Sequence, residues 1–290
     1  MIDENSYIFY NWMPAIADHV LDRSEEFYAS VGVSRRHNKN HFDPTSVQAG
    51  DIIYIKTDYI FHPYFQNELL PKITQPFRLI SGISSYHIGS NGDTSYRRIL
   101  QSPNLIKWSC TNPPDDVDEK IIPLPIGFEE EERAGGDQQL IDFHFSNQIP
   151  WNQKKMKILL PYHTLDTNPE RKNLFEKLSK LPFVDTQRNK VSWGDYMDLL
   201  NSYAYVLCLE GSGPDVHRNY ECLLVGSVPI NIHNTITGLF SFHGLPGIFL
   251  ESWSELNQEK FNQISNVPYN MNNVENFLKL KYHIDLLKGS

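Results

Sequence analysis

Short apolar runs alternate with amphipathic stretches along almost the whole chain of 290 residues. That alternation is the signature of βα units built on parallel sheets. In the first half, residues 51–58 ("DIIYIKTD"), 77–84 ("FRLISGIS") and 105–110 ("LIKWSC") predict strands, and 121–127 ("IIPLPIG") a short strand reaching a turn at Gly127. Helices are predicted between them at 64–73 and 94–101. The tract 129–150 carries a charge run and a Gly-Gly pair with no apolar periodicity, and reads as a boundary of solvated surface.

Alternation then restarts. It predicts a strand at 155–162, a helix at 168–181 with Pro169 in its first turn, and a helix at 192–202 behind a Ser192-x-x-Asp195 cap. Strands follow at 203–209 and 228–232, with a helix at 214–225 between them that Gly226 closes. A last helix is predicted over 274–287. The expected architecture is α/β, with two Rossmann-like domains at 1–146 and 147–290 facing a cleft at the carboxyl ends of the strands, and the last helix packing back on the first domain.

Composition narrows the classes. Forty per cent hydrophobic and 21 per cent charged residues describe a globular chain with a core to bury. The formal charge of −9 (26 basic against 35 acidic residues) argues against nucleic-acid partners and against docking on anionic membranes. The three cysteines, Cys110, Cys208 and Cys222, show no metal-type spacing and read as core residues of a reducing compartment. No stretch approaches the length of a membrane span, and no Asn-x-Ser/Thr sequon occurs. A cytoplasmic, soluble protein is expected.

The chemistry concentrates at 208–223, "CLEGSGPDVHRNYECL". Strand 203–209 is apolar on both faces, as a central parallel strand is. Gly211, Ser212 and Gly213 form the turn that follows it, with glycines that let backbone N–H groups approach a ligand. The helix beginning near Asp215 and His217 offers its N-terminus to an anion such as a diphosphate. Arg218 adds a cation with bidentate geometry, and Glu221, one turn on, is placed to accept hydrogen bonds from ribose hydroxyls. The third glycine position of a dinucleotide fingerprint holds Val216, and no Walker lysine is present. An ordinary βαβ turn, in which Arg218 and Glu221 merely pair, remains the plain alternative.

"EGSGPDVHRNYECLLVGSVPI" resembles the donor-site signature of exostosin-like glycosyltransferases, at Gly211, Gly213, Asp215, His217, Arg218, Tyr220, Glu221, Gly226, Pro229 and Ile230. "YIKTDYIFHPYFQNELLPKI", "KIIPLPIGFE" and "TNPERKNLF" extend the similarity over about residues 50 to 255. Glu210 and Val216 depart from it, standing where many relatives have proline and cysteine. The resemblance implies a GT-B fold whose C-terminal domain holds a nucleotide-sugar donor and whose N-terminal domain holds a glycan acceptor. It implies inverting transfer without a metal or other cofactor, from a UDP-sugar such as UDP-xylose. Arg218 and Arg171 would then contact the diphosphate and Glu221 the ribose, with His163 as a further donor contact. The similarity is greatest to short soluble relatives in bacteria and large viruses.

An inverting displacement needs a base for the acceptor hydroxyl. Asp58, at the end of "IIYIKTD", is the expected base, with His62 and Tyr59 as acceptor contacts; capping the next helix is the competing role for Asp58. Glu68 reads as a surface residue. Asp116-x-Asp118 has the spacing of a GT-A metal site, but in an acidic loop two letters carry little information. His233 and His243 read as loop histidines. A non-catalytic nucleotide-sugar or glycan-binding module of the same fold is the alternative function.

Overall fold

The computed structural model describes residues 3–10, 12–21, 42–115, 118–265 and 271–289. They divide into two compact units, one of Met1–Glu4, Tyr10–Ile126 and His283–Ser290, the other of Asn5–Phe9 and Gly127–Tyr282. The division falls at Ile126/Gly127 rather than at 146/147. The tract 129–150, read from sequence as the boundary, belongs wholly to the second unit.

Each unit is built on one parallel five-stranded sheet. The first contains β1 (His19–Leu21), β2 (Ile52–Lys56), β3 (Phe77–Gly82), β4 (Leu105–Cys110) and β5 (Ile121–Pro123), side by side in chain order. Register aligns Ile53 with Leu79 and Leu79 with Trp108, and these side chains are fully buried with Ile55 and Cys110. Among the described residues, three short helices accompany the sheet: α1 (Trp12–Ala15), α2 (Thr57–Ile60) and α3 (Tyr96–Leu100). The helix expected at 64–73 is instead a wide π-type turn, Tyr64–Leu69, followed by a 3₁₀ turn, Leu70–Lys72. Pro71 has no N–H to continue an α-helical ladder, and the preceding turn closes with Leu70 N–H on the Phe65 carbonyl.

The second sheet holds β6 (Lys155–Leu160), β7 (Val184–Thr186), β8 (Tyr203–Leu207), β9 (Val228–Ile232) and β10 (Ile248–Leu250), ordered β10-β9-β8-β6-β7. The chain runs outward from β6 to β7, then returns to place β8 on the other side of β6. That reversal makes the carboxyl ends of β6 and β8 a topological switch point, where open α/β sheets form a crevice. All five residues of β8 are buried, which is why its sequence reads as one continuous apolar run.

Helices α4 (Gln138–Ser146), α5 (Arg171–Leu178), α6 (Trp193–Asn201), α7 (His217–Leu224), α8 (Thr235–His243), α9 (Gln258–Ser265), α10 (Val274–Leu278) and α11 (Leu280–Lys288) complete the chain. Asp137 caps α4 through the N–H groups of Gln139 and Leu140. Only Ile141 and His144 of α4 are buried, while Leu140 and Phe143 point outward, so no apolar period marks it in the sequence. Ser192 caps α6 as its spacing predicts, accepting from Asp195 N–H at 3.1 Å. The final helix is two pieces, because Lys279 between α10 and α11 is extended. No helix of the described residues is long and apolar enough to cross a membrane.

One lysine fastens the amino edge of the second sheet. Lys154 is buried, and its Nζ donates to the carbonyls of Asn201 (2.6 Å), the last residue of α6, and Val225 (2.9 Å), the C-cap of α7. A cation at two helix C-termini offsets both the dipoles and their unpaired carbonyls. Burial brings this ammonium down to about 8.

Candidate functional site

The candidate site is the crevice where β6 and β8 end. Beyond Leu160 the chain runs through Pro161 and Tyr162 to His163; beyond Leu207 it runs through Glu210 and the glycines to α7. This second loop is tighter than the sequence suggests. Gly211 N–H bonds to the Gly213 carbonyl (3.1 Å), Ser212 is exposed, and α7 begins at His217 rather than at Pro214, with Val216 at the cap position and no side-chain cap. Asp215 is buried ahead of the helix. It accepts from Asn219 Nδ2 (3.3 Å) and from the Tyr220 hydroxyl, so it anchors the loop to α7. His217 is engaged through Nδ1 with the Gly127 carbonyl at 2.7 Å.

Arg218 leaves the first turn of α7 into the crevice. Its Nε donates to the Tyr196 hydroxyl (2.9 Å), one Nη2 hydrogen goes to the Tyr162 carbonyl (2.9 Å), and Nη1 meets His163 Nε2. The guanidinium also lies 5.7 Å from the centre of the Tyr196 ring. His163 is 2 % exposed, and burial together with the charges of Arg218 and Arg171 holds it well below the usual histidine range. Its Nδ1 lies 2.7 Å from the Pro161 carbonyl, which fixes the proton there and leaves Nε2 to accept from Arg218. Both ring nitrogens are therefore committed within the protein. His163 supports Arg218 rather than reaching outward as the expected donor contact.

Arg171 is also corrected. It opens α5 but turns inward, giving Nε to the Glu210 carbonyl (2.6 Å), Nη1 to the Thr164 carbonyl (3.0 Å) and the Thr167 hydroxyl (2.6 Å), and Nη2 to the Leu209 carbonyl (2.9 Å). Four of its five N–H groups hold the loops together, which makes it a clamp on the crevice wall instead of an open phosphate ligand. Burial, then the charge of Arg218, lowers it to about 10.

Glu221 lies one turn beyond Arg218 and is buried. Oε1 accepts from Trp193 Nε1 (3.1 Å) and Oε2 from the Tyr196 hydroxyl (2.8 Å). Both oxygens expected to serve a ribose already carry a donor, although a carboxylate can accept further bonds. Trp193 and Tyr196, three residues apart on one face of α6, are the site residues that the sequence does not announce. Burial raises the Tyr196 phenol well above its ordinary value, so it acts here as a neutral hydroxyl, donating to Glu221 and accepting from Arg218.

The electrostatic outcome is distinctive. Arg218 and Arg171 both contact neutral acceptors, and among the described residues neither forms an ion pair with a carboxylate. Two guanidinium groups that depress the same histidine thus converge on one crevice without a directly bonded carboxylate, the Glu221 charge being held off behind the Tyr196 hydroxyl. Desolvated cations of this kind favour an anion strongly, and Arg218 keeps one N–H on each terminal nitrogen for it.

The residues expected in the first unit lie apart in character. Asp58 is in the first turn of α2 rather than at the end of a strand, is 45 % exposed, and pairs with Lys56 Nζ at 3.3 Å. Tyr59 is buried in the core of that unit, which does not fit the expected acceptor contact. His62 follows α2 and accepts the Tyr64 N–H at Nδ1 (3.2 Å). Asp116 lies outside the described residues, and among those described no cluster of His, Cys, Asp or Glu is grouped to hold a metal.

No model of a known protein family matches the chain, and no curated protein sequence matches it significantly.

Proposed function

We propose that the chain is a glycosyltransferase of GT-B type, which moves a sugar from a nucleoside diphosphate donor, UDP-linked by resemblance, onto a glycan hydroxyl. One observation carries the reading: Arg218, fixed by three neutral acceptors at the switch point of the second sheet, presents an uncompensated fork to an anion. A leaving diphosphate supplies such an anion, with charge that grows as the glycosidic bond breaks. The acceptor oxygen attacks the anomeric carbon, the bond from that carbon to the diphosphate oxygen breaks with inversion, and the acceptor proton passes to a base. We assign the base to Asp58, whose carboxylate is exposed in the first turn of α2. Arg171 and His163 act by holding Arg218 and its loops.

The pairing of Asp58 with Lys56 favours a second reading, a nucleotide-sugar-binding module without turnover. Two measurements separate them. In a thermal-shift assay with EDTA present, UDP or GDP raises the midpoint of the wild type and leaves Arg218→Ala unmoved; a shift that requires a divalent cation, or no shift at all, refutes the anion site. Asp58→Asn in a transfer assay then loses about 10²-fold or more of kcat if it is the base. Donor binding without turnover in the wild type selects the module.

A further inference from the structure

Arg218 and Glu221 are opposite charges three residues apart on α7, the spacing at which helical side chains ordinarily pair. They do not pair. The Tyr196 hydroxyl stands between them, accepting from Arg218 Nε at 2.9 Å and donating to Glu221 Oε2 at 2.8 Å. Trp193 Nε1 holds the other carboxylate oxygen at 3.1 Å. His163 and the Tyr162 carbonyl hold the far side of the guanidinium.

We propose that Tyr196 is a positioning residue whose hydroxyl acts as a spacer, keeping Glu221 from neutralising Arg218 and so reserving the guanidinium for a diphosphate-like anion. The inference rests on the anion-site reading above. Its physical basis is the cost of orphaned groups. Without the hydroxyl, a buried carboxylate oxygen loses its donor and Arg218 Nε loses its acceptor. Leaving such charged groups unpaired is costly, and the shortest repair is a direct ion pair between them. That pair would consume the charge an incoming anion needs.

The test uses the full chain, inorganic pyrophosphate as the probe and titration calorimetry. Tyr196→Phe is expected to weaken binding by about tenfold or more, equivalent to ~1.4 kcal/mol. Adding Glu221→Gln removes the competing charge, and the double variant is expected to return to within about threefold of Glu221→Gln alone, a non-additivity that simple loss of packing does not give. Tyr196→Phe binding like the wild type, or a double variant as weak as Tyr196→Phe, overturns the spacer while leaving the anion site standing. A wild type that ignores pyrophosphate overturns the anion site and the spacer with it. If Tyr196→Phe does not fold, Glu221→Gln alone decides: losing a neighbouring negative charge should tighten pyrophosphate, and weaker binding would show that the carboxylate supports Arg218, against the proposal.

Discussion

His163 and Arg218 form a matched pair, a neutral imidazole lone pair accepting from a guanidinium, and the match depends on the proton at His163 Nδ1, where the Pro161 carbonyl holds it. A second proton on this ring would turn Nε2 into a donor facing another donor.

Stability should therefore fall in mild acid. His163 and His144 are both lowered from the ordinary value of 6.5, in each case chiefly by burial. Below about pH 6.5 the unfolded chain takes up protons that the folded one refuses, so stability is lost as pH falls and is flat above that value. Each histidine contributes up to about 1.4 kcal/mol per pH unit. The thermal midpoint is expected to drop between pH 7 and 5.5, and to drop less in His163→Gln. Equal losses in both proteins would mean that His163 titrates normally.

Charge alone should not suffice at position 218. Lysine cannot reach Tyr196, His163 and the Tyr162 carbonyl together while keeping two donors for a ligand. Arg218→Lys is expected to lose most of the UDP-induced thermal shift, close to the loss in Arg218→Ala. Retention of the wild-type shift would show that a point charge is enough.

Gly127→Ala should destabilise the protein by about 2–4 kcal/mol, read from chemical denaturation. Gly127 has φ +73°, which a side chain adopts with strain, and a Cβ there would sit 2.7 Å from the Ile8 carbonyl oxygen. That oxygen already accepts from Phe128 N–H at 2.9 Å, so moving it away would stretch this hydrogen bond.

Lys154→Met offers a contrast in which volume is kept and hydrogen bonds are lost. The carbonyls of Asn201 and Val225 would lose their shared donor inside the fold. A loss of about 2–4 kcal/mol is expected in the same assay. A neutral result would mean that the burial cost of the ammonium balances its bonds.

The sequence discloses those features that local patterning controls. The run through β8 and β9, the Ser192 cap and the stop at Gly226 (φ +70°) are short-range, and each is found where periodicity or turn chemistry puts it. Arg218 was legible for the same reason, lying within a few residues of the turn that aims it. For Arg171 and His163 the sequence gives the position and not the role, because it does not say which neighbours saturate a side chain. Trp193 and Tyr196 were hidden because their role exists only once α6 packs beside α7, 22 residues on from Tyr196 to Arg218. Asp58 shifted from strand to helix because Thr57 opens α2 immediately after β2.

The membership of the two units carries a topological consequence. Reading along the chain, it changes unit after Glu4, after Phe9, after Ile126 and after Tyr282. Neither unit is a contiguous piece of polypeptide, so no single cut yields two whole halves. A truncation that removes 283–290 would take Ile284 and Leu287 out of the first unit's interior and the Lys288 carbonyl away from Arg78. Although these residues follow the second unit in sequence, their loss would be a wound to the first. Genetic dissection of this chain must therefore exchange segments rather than divide it.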